Sequence, residues 1–449
     1  MSRNGSGTYS LPAGNPVVTG TTIASTWANN TLSDIASALT GSVASDGQTP
    51  MTGNLDLNSN KIVNVTDPTL AQDAATKNYS DTTFARKGAN SDITSLTGLT
   101  TPLSQAQGGT GTTTGYYGFK NRIINGAMMI DQRGAGSVAA LSGSAAYPVD
   151  RFVCYTTSGS GNTGIRSTTV PSGQGFVNSL LVTVGTGASP SAGSYNQIGQ
   201  IIEGFNVADL GYGGSGAKTT TLSFWVRASI TGTYCVAFLN SSSAGTRRSY
   251  VAEYSISSAN TWEYKTVTIT GDTTGTWNTD NTQGLQVYFD IGSGSNFQTT
   301  ANTWSNGALW RTSNQTNLIA TNGATFYITG VQLEVGSTAT SFDYRPYGTE
   351  LQLCQRYYEV INSDSNQQTF WADCNGGNGV CAVANLFYRA TKRATPTVTQ
   401  YGTYVLLNTN SPSLVAGNNQ MTIFYQTSSA SRCYWYPSLN AGVTINAEL

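Results

Sequence analysis

From Tyr116 to about Tyr347, apolar and polar residues alternate in short runs separated by Gly, Ser and Asn turns, with no helical period between them. Ser179 to Val184, Thr221 to Arg227, Thr266 to Thr270, Leu285 to Phe289 and Thr325 to Leu333 are the clearest. Side chains of a strand point alternately to two faces, so each run has one apolar face to bury. Many such runs without intervening helices predict an antiparallel β-sandwich.

Only 10% of the 449 residues are charged, where ordinary soluble domains carry roughly 25%. Gly, Ser, Thr and Asn fill the gap. Such a bias suits a disordered chain, but 24 Tyr, 14 Phe and 8 Trp supply the large side chains that disordered chains lack. Lys and Arg number 22 against 23 Asp and Glu, so the chain has no basic footprint for nucleic acid or an anionic membrane. No window approaches the apolar length of a spanning helix, and Met1 to Gly5 open a polar segment without an apolar signal core, so no membrane insertion is expected. Histidine is absent, which removes Ser-His-Asp and Cys-His catalysis and His-ligated zinc. No cofactor or metal is expected. The six cysteines form no CxxC pair, and assembly in a reducing compartment predicts free, buried thiols. Cys374 and Cys381 bracket a Gly-rich loop that a disulfide would close, and the sequence leaves their bonding open.

The segment before the sandwich is thinner. In residues 1–50, Ala28, Leu32, Ile35, Ala36 and Leu39 recur at helical spacing, with Ser25 or Thr26 as cap and Gly41 as stop, predicting a helix over 25–40 with Trp27 in its first turn. In residues 51–115, Leu55 and Leu57 alternate, Asn58-Ser59-Asn60 suits a turn, and Ile62, Val63 and Val65 return. A second helix is expected after Asp67 as cap and Pro68 at its first position, carrying Leu70, Ala71, Ala74, Ala75 and Asn78/Tyr79. So few large apolar residues cannot offset the entropy of ordering the backbone, so these stretches need copies of themselves from other chains. Ile93, Leu96, Leu99 and Leu103, amid Ser, Thr and Gly, continue a slender shaft or neck. Gly108-Gly109-Thr110-Gly111 makes a pliable joint.

The run MTGNLDLN…K…DP…AQDAATK.Y at 51–79 resembles a module of tailed-bacteriophage tail-fibre proteins, and the segment before it resembles their virion-attachment segments. KNRIINGAMMIDQRGAGS, YPVDRF, SFWVRAS and FYITGVQLEVGSTATSFDYRPYGTELQLCQRYYE look like the jelly-roll domain of phage tail proteins, which is similar to carbohydrate-binding modules. LFYRATKRATPTVT and the terminal INAEL resemble the small β-sandwich that closes such fibres. The resemblance implies a mainly β homotrimeric fibre: attachment segment 1–50, shaft 51–115, jelly roll 116–347 and tip β-sandwich 348–449. Leu351, Cys354 and Tyr358, flanked by Leu353 and Tyr357, predict one short helix at the last boundary. Trp27, Ala28, Leu32, Ile35 and Leu39 would form the trimeric plug that docks on a tail, baseplate or adaptor protein. The resemblance also leaves a structural Ca²⁺ in the sandwich open.

Glycan recognition uses flat aromatic faces for sugar C–H surfaces together with amides, carboxylates and Arg for hydroxyls. Strand alternation puts Trp371 with Asp373, and Arg432 with Tyr434 and Tyr436, on faces opposite Cys374 and Cys433. With the loop residues Asn375 and Asn378, these are the candidate glycan-binding residues at the tip, weighed against simple packing of the aromatics between subunits. Trp225 with Arg227, and Trp304 to Trp310, are read as core or subunit packing, with a groove as the other possibility. The function expected is a virion-borne tail-fibre adhesin for a host polysaccharide or lipopolysaccharide, made in the bacterial cytoplasm. The alternatives are an adaptor or decoration fibre carrying another adhesin, and a depolymerase. The last needs two positioned carboxylates, and Glu334, Asp343, Glu359, Asp364 and Asp373 form no recognisable pair.

Overall fold

The computed structural model describes residues 18–40, 54, 57–70, 73–83, 119–240, 246–362, 372–375, 381–407, 413–426, 432–438 and 440–449. Of residues 40, 81–83, 372–375, 381–384, 406–407, 425–426 and 432–436 it describes the backbone alone. Two compact units emerge, residues 1–98 and 99–449.

In the first unit, helix α1 spans Ser25–Thr40, where the apolar spacing puts it. Trp27, Ala28 and Ile35 are half-buried, whereas Leu32 and Leu39 are 64% and 66% exposed. Asn58 and Ser59 both adopt left-handed φ (42° and 64°) beneath a 2.8 Å bond from Asn60 N to Leu57 O, so the expected turn forms. Ile62 and Val63 follow it 65% and 71% exposed, and no strand forms among the described residues here. The second helix departs from expectation: α2 is Lys77–Thr83. The Asp73 carboxylate instead accepts the N–H groups of Thr69 and Leu70, both at 2.8 Å. Thr76 is the cap instead, its hydroxyl accepting from Tyr79 N at 3.0 Å and donating to Asp67 at 3.0 Å. Asp67 thus holds the residue that caps.

The second unit contains the predicted antiparallel β-sandwich. Its strands are β1 (Ala139–Ala140), β2 (Ala146–Val149), β3 (Phe152–Thr156), β4 (Thr163–Ser167), β5 (Ser179–Thr183), β6 (Asn196–Glu203), β7 (Thr220–Ala228), β8 (Gly232–Leu239), β9 (Arg248–Ile256), β10 (Glu263–Ile269), β11 (Gln283–Asp290), β12 (Trp304–Asn306) and β13 (Thr325–Val335). Six form one sheet in the order β1-β4-β5-β13-β7-β10, and seven the other, β12-β9-β8-β11-β6-β3-β2. Alternation puts Leu222, Phe224 and Val226 of β7 into the interlayer core with Val236 and Phe238 of β8 and Val287 and Phe289 of β11. Phe224 meets Tyr254 and Phe289 of the facing sheet edge-on, at 5.0 and 4.9 Å between centroids.

Helix α3 (Tyr347–Gln355) leads into further strands. It starts and stops earlier than the apolar pattern suggests, because Tyr358 opens β14 (Tyr358–Asn362). Tyr357, just before that strand, lies under the Arg151 guanidinium at 3.6 Å and donates its hydroxyl to Glu203 at 2.7 Å. The remaining strands are β15 (Ala372–Asn375), β16 (Cys381–Phe387), β17 (Thr397–Tyr401), β18 (Tyr404–Leu407), β19 (Ser413–Ala416), β20 (Gln420–Gln426), β21 (Arg432–Pro437) and β22 (Gly442–Asn446). They pair as β14-β22-β17, β15-β21-β18 and β16-β20-β19 around Ile361, Met421, Ile423, Val443 and Ile445. Ion pairs join this part of the chain to the sandwich: Glu448 with the buried Arg151 and, at 3.1 Å, with Arg133; and the part-exposed Arg356, whose Nε donates to the buried Glu203 at 2.8 Å.

Candidate functional site

A groove of about 430 Å³ opens on the outer face of the six-stranded sheet. Alternation that sends Phe224 and Val226 inward sends Ser223 and Trp225 outward, and the antiparallel register sets Trp225 opposite Tyr264 of β10. Their rings lie 5.4 Å apart, tilted by 48°. Trp225 is half-buried and Tyr264 is 44% exposed, so both offer ring surface to solvent.

The other wall comes from distant parts of the chain. Phe176, Phe342 and Tyr344 form a mutual cluster with centroids 4.9 to 5.5 Å apart. Phe176 reaches its place because β13 bulges: its register with β7 shifts between Thr329 and Gln332, and Gly330 in the bulge has φ +62°. Such a bulge bends the strand and admits a residue that only glycine fills cheaply. The loop carrying Phe342 and Tyr344 is pinned from β13. Glu334 accepts Thr340 N at 2.8 Å and Thr340 Oγ1 at 2.6 Å, and Gln332 Oε1 accepts Asp343 N at 2.8 Å. Tyr344 donates its hydroxyl to Gln174 O. The groove therefore has aromatic walls, with Ser223, Thr340, Ser341 and Gln174 as its polar lining and no Asp, Glu, Lys or Arg among its lining residues. Preformed ring faces flanked by hydroxyls suit a flat amphipathic ligand with C–H faces and hydroxyl edges.

The expectations for other residues divide. Trp225 lines a groove and does not lie in the core. Trp304 is core packing as read, amid Tyr212, Tyr250 and Trp277, and Trp310 stacks on Phe297 at 4.1 Å. Of the candidates in the C-terminal strands, Trp371 and Asn378 lie outside the described residues, and Asp373, Asn375, Arg432, Tyr434 and Tyr436 are described by backbone alone. Pairing of β15 with β21 sets Asp373 opposite Tyr434 and Asn375 opposite Arg432. Phe176, Phe342 and Tyr344 carry no sequence signal that marks a site, whereas Tyr264 takes the exposed face of β10 by alternation with Glu263, Lys265 and the buried Val267 and Ile269.

Three carboxylates considered for hydrolysis are occupied. Glu334 holds the loop, Glu359 pairs with the buried Lys392 at 2.7 Å, and Asp343 lies 3.6 Å from Arg345. Asp364 and the Asp373 side chain lie outside the described residues. Among the described residues no group of three or more His, Cys, Asp or Glu could hold a metal. Cys154, Cys235 and Cys354 are free and buried, and burial pushes the Cys235 thiol up to about 11. The Cys374 and Cys381 side chains are not described.

No protein-family model matches the chain, and no curated protein sequence does. Among solved structures it is similar to the enzymatically active domain of tailspike protein 4 of bacteriophage CBA120, at 14% identity and a TM-score of 0.29; the match spans 48% of this chain and 22% of that one. It is also similar to a CBM4 structure, at 16% identity and a TM-score of 0.24, over 47% of this chain and 98% of that one. A third is the family 11 carbohydrate-binding module from Clostridium thermocellum, in complex with a β-1,3-1,4-mixed-linked tetrasaccharide, at 15% identity and a TM-score of 0.23, over 46% of this chain and all of that one.

Proposed function

We propose that this protein is a homotrimeric bacteriophage tail fibre that attaches the virion to a bacterial surface glycan without cleaving it, and that the groove beside Trp225 is a saccharide site. The observation that carries the reading is the Trp225–Tyr264 pair facing the Phe176, Phe342 and Tyr344 wall. Sugars bind through C–H faces laid on such rings and through hydroxyls met by side chains like Ser223, Thr340 and Gln174. The tail-fibre sequence motifs of residues 51–79 support the virion setting, and the uncovered Leu32, Leu39, Ile62 and Val63 support a shared interior between copies. Three sites per fibre turn weak contacts into firm attachment through effective concentration. Asp373 and Tyr434 are kept as a second contact point at the tip.

Adsorption of the full-length protein to host cells and to a glycan array tests this. Trp225→Ala should cut retention at least tenfold while the protein keeps its oligomeric mass. Unchanged adsorption in that variant removes the groove from the reading. New reducing ends released from bound polysaccharide would make the protein a depolymerase.

A further inference from the structure

Arg227 stands two residues along β7 from Trp225, on the same outer face. The ladder places it opposite Tyr327 of β13, and its guanidinium lies 4.8 Å from the centre of that ring. Trp262 meets Tyr327 edge-on at 6.0 Å, so the ring beneath the guanidinium is itself held by a neighbouring aromatic. Arg227 Nε donates to Asn260 O at 2.8 Å, which fixes the plane of the group. No carboxylate among the described residues pairs with Arg227, whereas Lys265 on the neighbouring strand is matched by Glu263 at 2.6 Å. A half-exposed guanidinium, held flat by stacking and by one bond, keeps its terminal fork for a planar oxyanion.

Building on the groove reading, we propose that Arg227 binds the carboxylate of an acidic sugar residue whose neighbour in the glycan chain lies on Trp225 and Tyr264. Positions two apart on a strand are separated by about 7 Å, a step that suits consecutive residues of a linear glycan. The groove supplies stacking for any sugar of suitable shape. Arg227 adds the choice of a uronic-acid-type residue at one place, through two parallel N–H···O bonds that a neutral sugar does not accept with the same strength. Lysine would carry the charge but neither the stack nor the fork.

The test uses the full-length protein and an array carrying uronic-acid oligosaccharides beside their carboxyl-reduced counterparts. The wild type should prefer the carboxylate form of at least one pair by about tenfold, the scale of a hydrogen-bonded charge. In Arg227→Met, which keeps most of the stack, the preference should collapse to about twofold or less, and in Arg227→Lys it should fall only in part. Trp225→Ala should weaken both members of the pair alike. Retention of the preference in Arg227→Met, or equal binding of the two forms by the wild type with Trp225→Ala still weakening both, overturns the carboxylate assignment and leaves the groove standing. If no glycan depends on Trp225, the groove reading itself is lost.

Discussion

Gly330 and Phe176 are fitted to each other: a β-carbon at position 330 would lie 2.6 Å from Phe176 Cζ, and the φ of +62° there already disfavours any other residue. The glycine in the β13 bulge thereby decides where one wall of the aromatic groove stands. Gly330→Ala should destabilise the protein by about 2 kcal/mol through strain and overpacking. It should also weaken glycan retention more than the stability loss explains. Urea denaturation read beside array binding checks both, and normal binding in a destabilised variant would show that Phe176 is not needed where it stands.

Asp290 is fully buried on β11, and burial raises its carboxyl to about 6. One oxygen accepts the N–H groups of Gly292 and Ser293 at 2.8 and 3.0 Å, while Oδ2 has no hydrogen-bond partner among the described residues. Because the folded state holds this proton more tightly than the unfolded one, its effect on stability is unfavourable above pH 6. It is relieved as pH falls toward 4. The displacement from 3.8 to about 6, at about 1.4 kcal/mol per pH unit, amounts to about 3 kcal/mol. Asp290→Asn should raise the melting temperature at pH 7 and flatten its dependence between pH 7 and 4, measured by calorimetry.

Removing Glu448 leaves the buried Arg151 and the neighbouring Arg133 without their shared carboxylate. Breaking one partner out of a buried pair costs about 3 to 5 kcal/mol. Glu448→Ala should therefore loosen the C-terminal strands from the sandwich, seen as faster proteolysis of residues beyond α3 at a temperature where the wild type resists.

Leu32 and Leu39 are uncovered along α1. If three copies share that face, Leu32→Glu with Leu39→Glu should lower the sedimenting mass from three chains toward one. Retention of the larger mass would place the trimer contacts elsewhere.

The antiparallel strands at 179–183, 220–228, 263–269, 283–290 and 325–335 are legible in the sequence because period-two alternation is a local property. The helix at 25–40 and the turn at Asn58 and Ser59 are legible for the same reason. The helix after Asp67 is not, since two side chains, Asp73 and Thr76, compete for the backbone there and the later cap prevails. The aromatic groove is also invisible in one dimension. Trp225, Phe176 and Phe342 are far apart in the chain, and what unites them is sheet register, a single bulge at Gly330 and the bonds from Gln332 and Glu334 to the following loop. Local pattern tells each residue which face it takes. Only long-range pairing decides which faces meet, and the site is made where they do.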